Sequence, residues 1–230
     1  MLENVLAYER EVFLWLNGGH NPFWDNFMWL YSGQAAWIFA TLFLIFMLFY
    51  KTDWKESLLI ISSIVLIVIL CDQFSSHICK PYFTRFRPTH HPDFMNYVHI
   101  VNEYRGGKYG FISGHAANAF GFAVFSLLLF RNRLYTVSIL VWGTLMAYSR
   151  IYLGVHFLSD IIPGIVFGVL VGYLVYKLYI AVRPKLLKKS DKPCHIYKPS
   201  RINLMLSALY ATIIIMICFS LMRWPINNLT

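Results

Sequence analysis

Six long apolar stretches dominate this sequence and limit the folds open to it. They cover residues 27–50, 57–74, 116–130, 135–152, 158–180 and 202–222, and the third is short. A transmembrane helix needs roughly 20 apolar residues, because it must cross the hydrocarbon core of the bilayer. With 58% hydrophobic and 13% charged residues, the chain resembles a polytopic membrane protein more than a soluble domain. We therefore predict an all-α helical bundle with about six transmembrane helices, forming one domain over residues 1–230.

Residues 1–26 precede the first apolar stretch and are predicted to lie at the membrane interface. In the first seventeen residues, apolar side chains alternate with glutamates and Arg10, a pattern typical of an amphipathic helix in the interface. Gly18 and Gly19 are expected to end that helix. The aromatic-rich segment that follows is typical of an interfacial belt.

The net charge of +9 is explained by where the basic residues lie. Twelve of the twenty Lys and Arg residues fall in loops on one side, seven of them in a basic loop over residues 181–201. The positive-inside rule places that side in the cytoplasm. Both termini and the long polar loop over residues 75–114 are then predicted to face the periplasm or exterior. Membrane lipids are the expected partners of the basic residues, and nucleic acid is not.

A histidine and an aspartate stand four residues apart between two apolar stretches. On a helix, His156 and Asp160 would share one face, so the carboxylate would orient the imidazole. Arg150 lies six residues upstream of this histidine. Its guanidinium group suits an anion such as phosphate facing the imidazole.

Two further polar blocks fall on the same predicted side of the membrane. In KPYFTRFRP, Lys80 and Arg87 are seven residues apart, and a short helix in this segment would bring both cations to one face. In GFISGHAAN, Ser113 and Gly114 place a hydroxyl and unpaired N–H groups at the start of an apolar helix, which favours an anion. His115 follows directly.

Taken together, the blocks read K-x6-R-P, S-G-H and S-R-x5-H-x3-D over residues 80–160. This arrangement resembles the three-part signature of the type 2 phosphatidic acid phosphatase and vanadium haloperoxidase superfamily, in its membrane branch. The sequence departs from the pattern at Ile112, where the family usually has proline. Because that position contributes no polar group, we expect a change in local loop shape only.

The resemblance implies a membrane lipid-phosphate phosphohydrolase that works through a phosphohistidine intermediate. It implies that His156 is the nucleophile, that Asp160 orients it, and that His115 protonates the leaving oxygen and then activates water. It also implies a phosphate-binding set, namely Lys80, Arg87, Arg150, Ser113 and Gly114. These roles suit phosphoryl transfer, which depends mainly on positioning and on neutralising charge on the equatorial oxygens.

No metal or other cofactor is predicted. His90, His91 and Asp93 are interpreted as loop residues rather than metal ligands, and the four cysteines lack ligand spacing. Asp72, at the end of an apolar stretch, fits an ion pair inside the bundle or exposure at the interface equally well. The glycosylation sequon at residues 228–230 is interpreted as chance.

The predicted substrate is a lipid whose phosphate lies at headgroup level while its tail stays in the bilayer. We rank a lipid A phosphate first, then undecaprenyl diphosphate, then phosphatidylglycerol phosphate or phosphatidic acid. Arg85, Arg105 and Lys108 would suit a large polyanionic headgroup or a diphosphate equally well. The sequence does not indicate the oligomeric state.

Two other classes of function use the same residues. A vanadate-dependent haloperoxidase would hold vanadate in this site, but those enzymes are typically soluble. A non-catalytic lipid-phosphate binding or transport protein would need the cations only. The presence of His115, His156 and Asp160 together therefore favours catalysis.

Overall fold

The part of the chain that the structure describes is almost entirely helical. The computed structural model describes residues 2–187 and 196–227. Their α-helices, in chain order, are α1 Leu2–Asn17, α2 Pro22–Ser32, α3 Ile38–Phe49, α4 Trp54–Gln73, α5 Lys80–Phe83, α6 Gly114–Phe130, α7 Arg133–Tyr152, α8 Leu158–Leu187 and α9 Pro199–Asn227. Within these residues the single β-type pairing joins Phe86 and Tyr109. The predicted all-α class is confirmed.

Three helical stretches are long and apolar enough to cross a membrane: Trp54–Phe83, Leu158–Leu187 and Pro199–Met222. The pair α2 and α3 adds a fourth if its two members form one bent span. Helix α6 is apolar but has only 17 residues, and α7 does not reach the hydropathy of the others. The membrane bundle is confirmed, whereas the count of about six spans stays a prediction.

The first predicted span, over residues 27–50, is broken near its start. Helix α2 ends at Ser32, and α3 continues at an angle of 73° to it. The break lies at Gly33, a residue that disfavours the helix interior. The Trp37 indole donates a hydrogen bond to the Tyr31 carbonyl oxygen at 2.7 Å, which satisfies a carbonyl at the end of α2.

The second predicted span, over residues 57–74, is too short. The helix continues through a π-helical segment, Phe74–Cys79, and through α5 to Phe83. Ser75 is buried and donates a hydrogen bond to the Ile112 carbonyl oxygen at 3.1 Å, so its polar side chain does not end the helix. The polar loop predicted over residues 75–114 therefore covers residues 84–113. Asp72 is exposed and accepts a hydrogen bond from Ser76, which favours the interfacial interpretation.

Helices α6 and α8 approach each other closely through small residues. A Cβ atom at Gly168 would lie 2.2 Å from the Ala117 carbonyl oxygen, and one at Gly172 would lie 2.4 Å from that of Gly121. Glycines at such crossings let two backbones touch. At the end of this contact the Ser113 N–H donates to the Asp160 carbonyl oxygen at 3.0 Å. The tight crossing thus fixes the start of α6 against the start of α8.

The predicted N-terminal helix forms, and it packs on the bundle as well as exposing an apolar face. Phe13 is fully buried and contacts the rings of Phe94 and Phe157, whereas Trp15 is 80% exposed. The helix therefore covers the end of the bundle at which α8 begins.

Two predictions concern residues that lie partly or wholly outside the described ranges. Helix α8 extends to Leu187, so the first part of the basic loop predicted over residues 181–201 is helical. The central part of that loop, residues 188–195, lies outside the described residues, and so does the sequon at residues 228–230.

Candidate active site

The three polar blocks of the sequence meet at one end of the bundle. The Gly110 N–H donates to the Arg85 carbonyl oxygen at 2.9 Å, and the Arg87 N–H donates to that of Lys108 at 3.1 Å. These bonds hold the K-x6-R-P block against the loop that leads to Ser113. Since Ser113 is bonded to Asp160, the third block joins the same assembly.

His156 lies in the turn between α7 and α8, and its side chain is buried. Its Nδ1 atom is 3.4 Å from Asp160 Oδ2, a close approach without hydrogen-bond geometry. The pair was expected on one helix, and this is wrong, because α8 begins only at Leu158. Asp160 instead caps the start of α8, where its Oδ2 accepts from the Phe157 N–H at 3.0 Å. The cap brings the carboxylate back towards the imidazole.

Arg87 determines which nitrogen of His156 carries the proton. Its Nη1 lies 3.2 Å from His156 Nε2, and a guanidinium group can only donate. Nε2 is therefore the acceptor, and the proton of the neutral ring lies on Nδ1, facing Asp160. Burial, and then the nearby cations led by Arg87 and Arg150, hold the pKa of His156 well below its usual range. The ring is neutral at pH 7, with an unprotonated Nε2.

Arg87 is itself fixed by backbone carbonyls rather than by an acid. It donates from Nε to the Tyr109 carbonyl oxygen at 3.1 Å and from Nη1 to that of Val155 at 3.1 Å. Burial, and then the Arg150 cation, lower its pKa to about 10, so it stays charged at neutral pH. The helix expected to carry both Lys80 and Arg87 is wrong. Helix α5 ends at Phe83, and Arg87 lies in extended chain beyond it.

Arg150, near the end of α7, also has neutral partners. It donates to the Ser32 hydroxyl and, at 3.1 Å, to the Tyr104 hydroxyl. Its Nε has no hydrogen-bond partner among the described residues and is buried. A buried donor without a partner is costly, and an anionic ligand would satisfy it.

Lys80 supplies a third cation at the end of the long helix. Its Nζ donates to Ser76 Oγ at 3.3 Å, and it lies within electrostatic range of both Arg87 and Arg150. All three cations also act on His156. The structure therefore brings the three predicted cations together around the histidine.

The start of α6 supplies the remaining predicted residues. Ser113 is the N-cap of α6, and its Oγ accepts from the Ala116 N–H at 3.4 Å. The hydroxyl hydrogen is then left to donate to another acceptor. Gly114 opens the helix, and His115 follows within electrostatic range of His156, Arg87, Arg150 and Lys80.

Arg85, one of three cations predicted to suit a large headgroup, has a different role. It donates to Asp160 Oδ1 at 2.8 Å and to Glu9 Oε2 at 2.6 Å. This prediction is therefore wrong for Arg85, whereas Arg105 and Lys108 are exposed. Glu9 was not recognised from the sequence, because its contact spans 76 residues and no motif includes it. Ser32 and Tyr104, the partners of Arg150, were missed for the same reason.

An apolar cavity of about 540 Å³ leads away from His115 between the helices. Its polar lining includes Ser32, His115 and Asn118, close to the site end. Most of the rest is apolar. It comes from α3, α4, α6, α7 and α9 and from the turn before α3, and it includes Trp37, Leu44, Val68, Phe122, Trp142 and Leu206. A cavity of this size and composition suits a hydrophobic chain.

One group of possible metal ligands lies among the described residues. It contains His20, Asp25 and His99, whose ligand atoms lie within 4.8 Å of one another. The two imidazole rings stack at 3.5 Å and 23°, so their in-plane lone pairs run side by side and do not converge on one ion. Asp25 accepts from His20 at 2.7 Å and from the Tyr152 hydroxyl at 2.7 Å. We interpret the group as a hydrogen-bonded cluster, and the absence of a metal stays a prediction.

The three sequence blocks lie within the part of the chain that matches a known protein family. Residues 62–184, more than half of the chain, match the model of the PAP2 superfamily, as the three sequence blocks had indicated. The chain is 46% identical over 221 residues to a protein of Porphyromonas gingivalis named lipid A 4'-phosphatase, covering 95% of this chain and 94% of that protein. It is 34% identical to a protein of Bacteroides thetaiotaomicron with the same name, covering 84% of this chain and 85% of that protein.

A solved structure has the same fold. It is the crystal structure of the first transmembrane PAP2 type phosphatidylglycerolphosphate phosphatase from Bacillus subtilis, with a TM-score of 0.59 and 20% identity. The similarity covers 82% of this chain and 90% of that one. At this identity the likeness shows the fold alone. With the apolar helices, it identifies the chain as an integral membrane protein.

Proposed function

The chain belongs to the PAP2 superfamily, and from that premise we propose that it removes the 4'-phosphate of lipid A. Two relatives that align with most of the chain carry the name lipid A 4'-phosphatase. This supports lipid A as the substrate, ahead of undecaprenyl diphosphate, phosphatidylglycerol phosphate and phosphatidic acid.

The observation that carries the proposal is the position of His156 between Arg87 and Asp160. Arg87 donates to Nε2 and so keeps this nitrogen unprotonated, and Asp160 faces the protonated Nδ1. A neutral imidazole with this tautomer is a nucleophile. Three cations beside it would neutralise the equatorial oxygens of a phosphoryl group.

In the first step, Arg87 Nη1 transfers its hydrogen bond from His156 Nε2 to a phosphoryl oxygen, and the freed Nε2 lone pair attacks phosphorus. A P–N bond forms and the bond from phosphorus to the lipid oxygen breaks. His115, which is protonated once the anionic phosphate is bound beside it, gives a proton to that oxygen. Lys80, Arg87, Arg150, Ser113 and the Gly114 N–H hold the phosphoryl oxygens, and Asp160 stabilises the positive charge that develops on the ring.

In the second step, water hydrolyses the phosphohistidine. His115, which has lost its proton to the lipid, takes one from the attacking water. The P–N bond breaks, its electron pair returns to Nε2, and inorganic phosphate leaves. The enzyme returns to its starting protonation state, and no metal is needed for charge neutralisation.

The apolar cavity supports a lipid substrate, since it begins at His115 and continues between the helices. A phosphate held at the cations would leave an acyl chain in the cavity. Lys51 and Arg131 follow the far ends of α3 and α6, whereas the site lies where α6 begins. By the positive-inside rule, we propose that the site faces the periplasm and that the protein lies in the bacterial cytoplasmic membrane.

The other two classes receive less support. Both relatives are named phosphatases. These names support a phosphatase over a haloperoxidase and over a non-catalytic binding or transport protein. A binding protein would also have no need for a histidine whose tautomer is fixed for attack.

The test is phosphate release by detergent-purified protein from bisphosphorylated lipid A in EDTA, with mass spectrometry to locate the remaining phosphate. We expect loss of the 4'-phosphate, sensitivity to vanadate, and no release by His156→Ala. His77→Ala is the matched control, because His77 is an exposed histidine of the helix that carries Lys80. Loss of the 1-phosphate, faster turnover of another lipid phosphate, or activity that EDTA abolishes would contradict the proposal.

A further inference from the structure

We propose that Glu9 and Arg85 are positioning residues for the His156–Asp160 pair, so that α1 is part of the catalytic centre. This inference rests on the proposed function for the roles of His156 and Asp160. Arg85 was predicted only as a headgroup cation, and Glu9 lies on a helix expected only to lie at the membrane interface.

The Arg85 guanidinium group joins two carboxylates. Its Nη1 donates to Asp160 Oδ1 at 2.8 Å and to Ser159 Oγ at 2.5 Å, and its Nη2 donates to Glu9 Oε2 at 2.6 Å. Ser159 in turn donates to the other oxygen of Glu9. The planar guanidinium therefore has a fixed orientation, because its hydrogen bonds leave in defined directions.

Asp160 depends on this contact for its charge and its rotamer. Its side chain is fully buried, and a buried carboxylate must be compensated to stay ionised. Oδ2 accepts a hydrogen bond from the Phe157 N–H and faces His156. Oδ1 is bound by the Arg85 cation. Asp160 thus presents Oδ2 to the imidazole because Arg85 holds Oδ1.

Glu9 holds Arg85 in place. The Glu9 side chain is 15% exposed and that of Arg85 27% exposed, so both are sheltered from water. The Arg85 guanidinium also lies 5.0 Å from the centre of the Phe157 ring, next to His156. Without Glu9, the long arginine side chain would gain freedom to leave this position.

The bundle fixes the helix that carries Glu9. Phe13 packs between Phe94 and Phe157, with ring centres at 5.6 and 5.3 Å. At the end of α1, Asn17 donates to the carbonyl oxygens of Ile151 and Tyr152 at 3.2 and 2.8 Å. These contacts hold α1 at both the middle and the end, so Glu9 is a rigid support.

The expected effect is on the chemical step and not on substrate binding. Lys80, Arg87 and Arg150 do not bond to Glu9, so the phosphate site should keep its affinity. Misalignment of a reacting group by about 1 Å can cost on the order of 100-fold in rate. We expect kcat to fall about 10-fold in Glu9→Gln and about 100-fold in Arg85→Met, with KM unchanged.

The experiment measures kcat and KM with lipid A for Glu9→Gln, Arg85→Met and the double variant. Glu11→Gln is the matched control, since Glu11 is an exposed glutamate of the same helix. The double variant should be no slower than Arg85→Met, because both residues act through one contact. Glu9→Asp and Arg85→Lys keep the charges and should recover part of the rate, even if the larger changes unfold the protein.

A second readout does not require turnover. In protein with 15N-labelled histidine, we expect the Nδ1–H tautomer of His156 in every variant, because Arg87 fixes it. The chemical shift of the Nδ1–H proton should differ from wild type in Glu9→Gln but not in Glu11→Gln, because the position of Asp160 beside Nδ1 changes. If wild type releases no phosphate but this shift changes in Glu9→Gln, the proposed function fails and the positioning role stands. If Glu9→Gln matches Glu11→Gln in both kcat and chemical shift, or changes only KM, the inference is overturned.

Discussion

The two ends of the helical bundle both bury arginine, but they compensate it in opposite ways. At the end away from the site, Arg183 donates from Nε to both oxygens of Glu56 at 2.9 and 3.0 Å, and the Tyr179 hydroxyl also donates to this carboxylate. At the site, Arg87 and Arg150 are equally buried, yet their described hydrogen-bond partners are carbonyls, hydroxyls and an imidazole.

The difference distinguishes a structural ion pair from the proposed anion site. A carboxylate beside an arginine satisfies the charge within the protein, so that nothing further is required. Neutral partners orient the guanidinium but leave its charge for a ligand. Burial of arginine alone would not distinguish the two ends, whereas the nature of the partners does.

The largest effect on folding is expected at the end with the ion pair. Arg183→Met should lower the free energy of unfolding by about 3–5 kcal/mol, because it leaves Glu56 as an uncompensated buried charge. The activity of the folded fraction should be unchanged. Denaturation in detergent and turnover per folded protein measure the two quantities. The double variant Glu56→Leu/Arg183→Met should recover most of the stability, and a loss equal to that of the single variant would contradict the structural role.

At the site, we expect a large effect on turnover and a small effect on the free energy of unfolding. Arg150→Met should lower kcat about 100- to 1000-fold, the cost of removing one donor that stabilises developing charge. The free energy of unfolding should change little, because no carboxylate loses its partner. Arg150→Lys should restore only part of the rate, since an ammonium group lacks the planar fork. A destabilisation like that of Arg183→Met, with normal turnover, would remove the distinction between the two ends.

A pH effect on stability should also originate at the site. The folded chain holds the pKa of His156 well below 6.5, through burial and then the nearby cations. The unfolded chain therefore takes up a proton below about pH 6.5 that the folded chain does not, so stability is complete above that pH and falls below it. Between pH 6.5 and pH 5 the loss is about 2 kcal/mol. Thermal unfolding at both pH values should show a shallower dependence in His156→Phe than in wild type.

The smallest effect is expected from the exposed cations beside the site. Replacing Arg105 and Lys108 with glutamine should raise KM for lipid A by about 3- to 5-fold, because exposed charge contacts contribute at most about 1 kcal/mol. The kcat value should not change, and the difference should shrink as salt is added. Lys51→Gln, an exposed lysine at the other end of the bundle, is the control. If Lys51→Gln raised KM as much as the replacements of Arg105 and Lys108, the prediction would be contradicted, because the effect would be a general attraction of the protein for the anionic substrate.

Local patterns in the sequence predicted much of the site. The position of Ser113 and Gly114 at the start of a helix was predicted, because helix starts depend on residues within one helical turn. The meeting of the three blocks was implied by the family resemblance. The helix proposed to join Lys80 and Arg87 was wrong, since the long helix ends at Phe83 and the two cations approach each other through the loop.

The His156–Asp160 pair is a different case, because the contact was predicted but its cause was not. Four-residue spacing suggested a shared helix face, whereas the carboxylate reaches the imidazole by capping the next helix. The same spacing is compatible with both geometries. Sequence periodicity therefore indicated proximity and left the conformation open.

The sequence by itself determined that the chain is a helical membrane protein, since apolar length and hydrophobic composition act locally on each span. It also determined the types of group in the site. The tertiary structure decided which cations stay uncompensated, where α2 and α3 bend apart, and that Glu9 reaches Arg85 across 76 residues. Such choices depend on how helices pack and on which charges burial brings together, and no local pattern encodes them.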